Sequence, residues 1–442
     1  INELLEEGRT CVVDTIDWQT GEVFLSVIPR SRNPRPEHRY IVPSKTFYKG
    51  SIFSRGTLDA SISDYTSGRV EKRLSPERQG GELKGAHAIS WFDPISPSIP
   101  VRDKPTDTVL IRAKEVLDAL RLGGKHPVGG RRQEIILEGL STRVQLVQGP
   151  PGTGKTMLAA VAILTRILVN RTSGDVVLIA SHTHMAVDTL LDRILAVLPD
   201  FQRACAETGA VLPEIKVAKV HSSGGEDEGD IHAVSARSCK KRLDELAEEA
   251  VVIAGGTTGS MLKMVDEGLN PTATYAARED GFQTPLLIVD EASMLVASNF
   301  LALATLVSKD GAIMLAGDHR QLSPIVAHDW AREDRPPAMA YQPHLSAFEA
   351  IVNLAEKLGD RMEGCISRSG LQVTYRLPPA IRSLISPVYE LDDIKLGGPE
   401  SEMIWGLPPK PEEDDWGVVW TGGRSLFLAV HSEHDSTDQN AL

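Results

Sequence analysis

Short apolar runs separated by polar turns dominate the chain, and their spacing changes character along it. Between about residues 8 and 60, runs such as Thr10–Val13, Val23–Val27 and Tyr40–Val42 alternate apolar and polar side chains, with Thr20-Gly21 and Asn33-Pro34 between them. Alternation at period two bounded by turn residues predicts a small antiparallel β unit, closed as a barrel. Ser90–Pro105 is proline-rich and irregular. Thr106–Leu122 then places Val109, Ala113, Val116, Leu117 and Leu120 on one helical face, and Arg131–Leu140 follows as a second helix. From Val144 to Ala316, apolar runs at 144–148, 177–180, 217–220, 251–254, 286–289 and 313–316 alternate with helical stretches. Strands that are apolar throughout are buried on both faces, so this section predicts a parallel sheet with helices on both sides. Ligands of such sheets bind at the strand C-terminal ends. After Gly364 the pattern changes to a helix over Ala380–Tyr389, a Pro- and acid-rich stretch at 399–415, and one more strand at Leu426–Val430.

The expected organisation is an accessory β unit (1–105), a helical stalk (106–130), an α/β nucleotide-binding lobe (131–363) and the start of a second lobe (364–442). The first residue is Ile1 rather than Met, and the expectation is that the sequence is a piece of a longer polypeptide.

Composition narrows the classes. Hydrophobic residues make up 41% and charged residues 24% of the 442, ordinary proportions for a soluble globular protein. No apolar run approaches the roughly 20 residues of a membrane span, and the first residues lack the basic and apolar segments of a signal peptide. Cys11, Cys205, Cys239 and Cys365 are scattered without a C-x-x-C pair, which suggests neither a disulfide framework nor a zinc site and fits a reducing compartment. The expected location is intracellular, cytoplasmic or nuclear, with no membrane partner. The net charge of −13 is unevenly placed. Arg32, Arg35, Arg39, Lys45, Lys49 and Arg55 face a single acid, Glu37, whereas acids gather at 226–230 and 412–415. The basic stretch is a candidate polyanion contact or a solvated strand face.

The chemistry lies in the α/β section. Gly149-Pro150-Pro151-Gly152-Thr153-Gly154-Lys155-Thr156 matches G-x-x-x-x-G-K-[ST], and it joins the strand at 144–148 to a helix beginning Met157-Leu158-Ala159. Such a turn aims backbone N–H groups and a positive helix end at one point, so phosphate binds there. Lys155 supplies charge, and the Thr156 hydroxyl is a ligand for Mg²⁺. Downstream, Leu286–Val289 ends in Asp290-Glu291, a pair suited to holding Mg²⁺ and activating water. A third strand, Ile313–Ala316, breaks into Gly317-Asp318-His319-Arg320-Gln321-Leu322. The order and spacing predict a nucleotide hydrolase.

The full set of motifs resembles the superfamily 1 helicases, closest to the 5′→3′ group that includes the nonsense-mediated mRNA decay helicase and senataxin-like proteins. Gly149–Thr156 is that family's phosphate loop letter for letter, and Gln133 falls about where its adenine-reading glutamine stands. Ala180–Leu190 and Val252–Ser260 are similar to its nucleic-acid motifs, and Leu371–Ile381 to the segment opening its second lobe. The resemblance implies a RecA-like core preceded by a small β-barrel on a stalk, with the second RecA-like lobe incomplete. It implies ATP and Mg²⁺ as cofactors and an ATP-dependent helicase or translocase activity on single-stranded RNA or DNA, without sequence preference. Other protein subunits are further candidate partners. The alternative is an ATP-switched clamp within a larger complex that binds without processive unwinding.

Residue by residue, Lys155 and the loop from Gly149 to Thr156 would hold the phosphates, with Thr156 and Asp290 on the metal. Glu291 would polarise the attacking water, Gln321 would sense the γ-phosphate, and Arg376 would stabilise transition-state charge. Tyr375 would stack on the base, with Gln133 on its edge. Plainer alternatives are a core aromatic at Tyr375 and a surface ion pair at Arg376. Thr183, His184, Thr257, Thr258 and Ser260 would touch strand phosphates, the plainer alternative being that Thr183 and Thr257-Thr258 cap helices. Three positions depart from the family pattern. Thr374 stands where Gln is usual, Leu377-Pro378 where Met-His is usual, and His184 where Asn is usual.

Overall fold

A computed structural model describes residues 11–17, 22–27, 65–75, 85–93, 95–268, 282–324, 345–359 and 363–400. The chain divides into two compact units, residues 1–68 and 69–442. Of the first, the described strands are β1 (Cys11–Asp17) and β2 (Glu22–Val27), an antiparallel pair in register from Cys11 opposite Val27 to Asp17 opposite Glu22. The rest of the expected barrel, including the basic stretch from Arg32 to Arg55, lies outside the described residues, as does the expected strand at Leu426–Val430.

The larger unit is built on one sheet. After α1 (Tyr65–Leu74), α2 (Ala86–Trp91) and α3 (Asp107–Ala119) come the two-residue strands β3 (Arg121–Leu122) and β4 (His126–Pro127), then α4 (Arg131–Glu138). The sheet strands are β5 (Val144–Gln148), β6 (Val176–Ser181), β7 (Ile215–His221), β8 (Ile231–Ser235), β9 (Val251–Thr257), β10 (Thr284–Val289), β11 (Val307–Gly317) and β12 (Ile366–Gly370). Their order is β12-β5-β11-β10-β6-β9-β7-β8, and every neighbouring pair is parallel. The helices among them are α5 (Lys155–Asn170), α6 (His184–Thr208), α7 (Cys239–Ala247), α8 (Thr258–Lys263), α9 (Ala297–Ala304), α10 (Ala347–Leu358) and α11 (Pro379–Glu390). A short π-helix, Met264–Gly268, continues α8.

This is a RecA-like α/β core, and the apolar runs explain it. Alternate residues of each strand enter two separate cores. Leu146, Leu178, Ala254, Val289 and Leu315 pack with Leu243, Phe300 and Phe348 on one face. Val147, Ile179, Ile253, Ile288 and Met314 pack with Leu117, Ile135, Leu164 and Ile194 on the other. Because both faces are covered, both alternating sets must be apolar. The expected strands fall within β5, β6, β7, β9, β10 and β11. β8 and β12 are additional, and β12 (Ile-Ser-Arg-Ser-Gly) is too polar to read as a buried strand from its sequence. It pairs with β5 from Ile366 opposite Val144 to Gly370 opposite Gln148. Although it follows Gly364, it is an edge strand of the same sheet. Among the described residues no helix is long and apolar enough to cross a membrane.

Candidate functional site

Strand order decides which motifs meet. β12, β5, β11 and β10 are adjacent, so the segments leaving their C-terminal ends share one edge of the sheet: Leu371–Arg376, the phosphate loop, Asp318–Gln321 and Asp290-Glu291. β6 and β9 come next, and they deliver Thr183-His184 and Thr257–Ser260 beside that edge.

The phosphate loop is closed by its own backbone and by its neighbour. The Gly149 amide donates to the Gly317 carbonyl at 3.0 Å. The Thr153 hydroxyl donates to the Pro150 carbonyl at 2.8 Å, and the Lys155 ammonium donates to the Gly149 carbonyl at 2.7 Å. Gly152 (φ 74°) and Gly154 (φ 84°) take the left-handed backbone that the turn requires. Gly154 is also the N-cap of α5, so the first amides of that helix open toward the loop. Thr156 is half-buried in the first turn of α5.

Beside the loop, Asp290 is 3% exposed. Burial, then the charge of Glu291, pushes its carboxyl up to about 7, against the opposing effect of the Glu291 amide and Lys155. That amide donates to Asp290 Oδ1 at 3.0 Å, and Glu291 itself has φ 51°. A left-handed backbone at a non-glycine residue costs about 1–3 kcal/mol and collects at functional sites. Here it turns Glu291 out of the strand line.

Asp318, fully buried, accepts from Gln321 Nε2 at 2.6 Å through Oδ2, so the exposed Gln321 is tethered by its own turn. Past β12, the Thr374 hydroxyl donates to the Pro151 carbonyl at 2.7 Å, and the Tyr375 amide donates to the Gly152 carbonyl at 3.0 Å. Thr374 is thus buried against the phosphate loop, which gives the departure from Gln a physical role. Tyr375 is 64% exposed, not a core aromatic. Arg376 is exposed, and among the described residues its guanidinium shows no ion pair.

Sequence reasoning passed over two residues here. Arg132 lies 5.4 Å over the Tyr375 ring and donates to the Thr153 carbonyl at 3.1 Å; only its place beside Gln133 could have flagged it. Asp118, on α3, accepts from Gln133 Nε2 at 2.7 Å. In this conformation the Gln133 amide is engaged by a carboxylate.

The expected strand contacts divide. Thr183 caps α6, accepting from the Ala186 amide at 3.2 Å, and Thr257 caps α8, accepting from the Ser260 amide at 3.4 Å. Thr258 and Ser260 are 4% and 2% exposed; Ser260 Oγ lies 3.1 Å from Thr257 Oγ1 at the start of α8, whereas Thr258 Oγ1 is buried with no hydrogen-bond partner among the described residues. His184 and Met185 remain exposed.

Which residues could hold a metal follows from the same geometry. Among the described residues no group of three or more His, Cys, Asp or Glu is arranged to hold an ion. Mg²⁺ in nucleotide sites is bound by one or two side chains plus phosphate oxygens and water. A buried carboxyl raised to about 7 gains most from a cation, and Asp290 with Thr156 fits that pattern.

Residues 132–327 match the family model described as AAA domain. The regulator of nonsense transcripts 1 of Caenorhabditis elegans is 24% identical over 392 residues, covering 81% of this chain and 33% of that protein. The DNA replication ATP-dependent helicase/nuclease DNA2 of Xenopus laevis is 30% identical over 286 residues, covering 64% and 24%. The human probable helicase with zinc finger domain is 25% identical over 258 residues, covering 52% and 12%. The chain thus spans a third or less of the length of each of these relatives. With a phosphate loop, paired carboxylates and the Gly317–Leu322 turn gathered in that order on one sheet edge, and with these relatives, the chain is similar to the superfamily 1 helicases.

Proposed function

We propose that the protein is an ATP-dependent helicase or translocase acting on single-stranded nucleic acid. The observation that supports this best is the sheet order, which sets the nucleotide-facing segments on β12, β5, β11 and β10 directly beside the β6 and β9 loops. In this reading Lys155 and the loop amides balance phosphate charge. Glu291, aimed out of its strand by the left-handed turn, accepts the proton of the attacking water. Thr156 and Asp290 hold Mg²⁺, which when bound neutralises charge on the phosphate oxygens. Gln321 reads the γ-phosphate, and Arg376 supplies positive charge in the transition state. Tyr375 offers its open face to the base, and Arg132 backs it from the other side. Sequence-independent contact to the strand runs through the exposed rim at His184 and the backbone amides near it.

Two substitutions test the reading in the full-length protein. Lys155→Ala should abolish strand-stimulated ATP hydrolysis while leaving the melting temperature within a few degrees of wild type. Glu291→Gln should keep ATP affinity but slow turnover by about 10³-fold or more, in the range of other phosphoryl-transfer residues. Wild-type turnover by Glu291→Gln would defeat the assignment. Strand binding and ATPase activity without displacement of a paired strand would favour the clamp reading.

A further inference from the structure

Behind the Asp318–Gln321 turn lies a buried polar cluster that none of the motifs accounts for. Asp392, two residues beyond α11, has a side chain only 5% exposed. Its Oδ2 accepts from Arg320 Nε at 2.8 Å and from Gln148 Nε2 at 2.9 Å. Its Oδ1 accepts from Arg320 Nη2 at 2.9 Å and from Arg368 Nη2 at 3.0 Å. The His319 ring lies 3.4 Å away and stacks on Phe348 of α10. Burial opposes ionisation of Asp392, but the hydrogen bonds from Arg320 and Gln148 and the charges of His319 and Arg320 outweigh it and hold the carboxyl well below the usual range. Three turns of α11 separate this residue from the part of the chain docked on the phosphate loop.

The second carboxylate of the cluster is Asp318. Its Oδ2 accepts from the Tyr389 hydroxyl at 2.8 Å as well as from Gln321. Tyr389 is in the last turn of α11 and 4% exposed. Gln148 Nε2 also reaches Asp318 Oδ1 at 3.4 Å, so this side chain, directly before the phosphate loop, bridges both carboxylates. The segment from Thr374 to Asp392 is therefore fastened at both ends to the nucleotide-facing edge. Thr374 and Tyr375 hold the loop at Pro151 and Gly152, and Tyr389 and Asp392 hold the turn that carries Gln321.

We propose that Tyr389 and Asp392 are positioning residues for Gln321: Tyr389 fixes Asp318 and Asp392 fixes Arg320, so the end of α11 sets where the Gln321 amide points. Gln321 and Tyr389 share one carboxylate oxygen, so a displacement of either is felt by the other. A bidentate Arg–carboxylate pair adds directional restraint that a single contact lacks. The inference rests on the reading of Gln321 as γ-phosphate sensor, and the experiment separates the two.

Strand-stimulated ATP turnover is measured in the full-length protein for Tyr389→Phe, Asp392→Asn, Gln321→Ala and each double variant with Gln321→Ala. Both single changes are isosteric, and an unchanged ATP affinity reports that the site is folded. Each of Tyr389→Phe and Asp392→Asn should lower kcat by about tenfold with KM for ATP within about twofold, the signature of a group acting only on the chemical step. The doubles should be no slower than Gln321→Ala alone, because residues that act through one another are not additive. Losses that multiply would overturn the positioning role while leaving the sensor reading intact. A Gln321→Ala variant with wild-type turnover would remove the sensor reading and the inference with it.

Discussion

Asp290 shows how much a single position depends on its surroundings. An aspartate at a strand end reads as an acidic ligand, yet burial and Glu291 raise its carboxyl to about 7. In the unfolded chain it titrates near 3.8, so between those values the folded protein binds the extra proton. Stability therefore falls as pH rises from about 4 to about 7 and is level above that. Asp290→Asn, which cannot ionise, lacks that slope. Its melting temperature without nucleotide or Mg²⁺ should match wild type near pH 4 and exceed it by several degrees at pH 8. A constant difference across the window would show that Asp290 is charged throughout. Glu291→Gln removes the second cause of the shift, so it should move the wild-type slope to lower pH.

Among elements, the approach of the Leu371–Arg376 segment to the phosphate loop is the most demanding. A Cβ on Gly152 would overlap Arg376 Cβ, besides needing φ 74°. At Gly154, with φ 84°, the nearest atom to such a Cβ is Arg132 Nη2 at 3.6 Å, so only the backbone resists. Gly154→Ala should destabilise by the left-handed penalty, about 1–2 kcal/mol. Gly152→Ala should cost more and also push Thr374–Arg376 off the loop, weakening ATP binding. Chemical denaturation and nucleotide titration of both variants check this, and equal effects would mean that the segment gives way freely. Buried Arg166 of α5 is a second element-scale feature outside the reach of pattern. It donates to Gln145 of β5 and to the Gly139 carbonyl, joining helix, strand and the end of α4 inside the buried interior.

For the whole molecule, the net charge of −13 repels a polyanion, so the proposed strand binding rests on local surfaces, with those at the β6 and β9 ends the first candidates. Affinity for a single-stranded homopolymer should fall steeply with salt and depend little on base identity. The log–log slope should be about −0.7 per phosphate neutralised on single strands. A flat salt dependence, or strong preference for one short sequence, would count against this surface. Replacing Arg32, Arg35 and Arg39 together reports whether the smaller unit shares the binding, through a change in that slope.

The sequence by itself determined the class of the fold and the candidate phosphate site, because both are written in local patterns. Runs that are apolar throughout force a sheet covered on both faces, and a glycine-rich turn before a helix can cradle phosphate wherever the pair is placed. The tertiary structure alone decided which motifs face one another. β12 carries too many polar residues to read as a buried strand, yet its pairing with β5 brings Thr374 onto the phosphate loop. Thr258 and Ser260 read as strand contacts because hydroxyls suit phosphates, but the fold buries both. The cluster around Asp392 joins residues 148, 319, 320, 368 and 392, far apart along the chain. No periodicity marks a buried carboxylate whose partners arrive from three other segments; only the folded sheet brings them within hydrogen-bond reach.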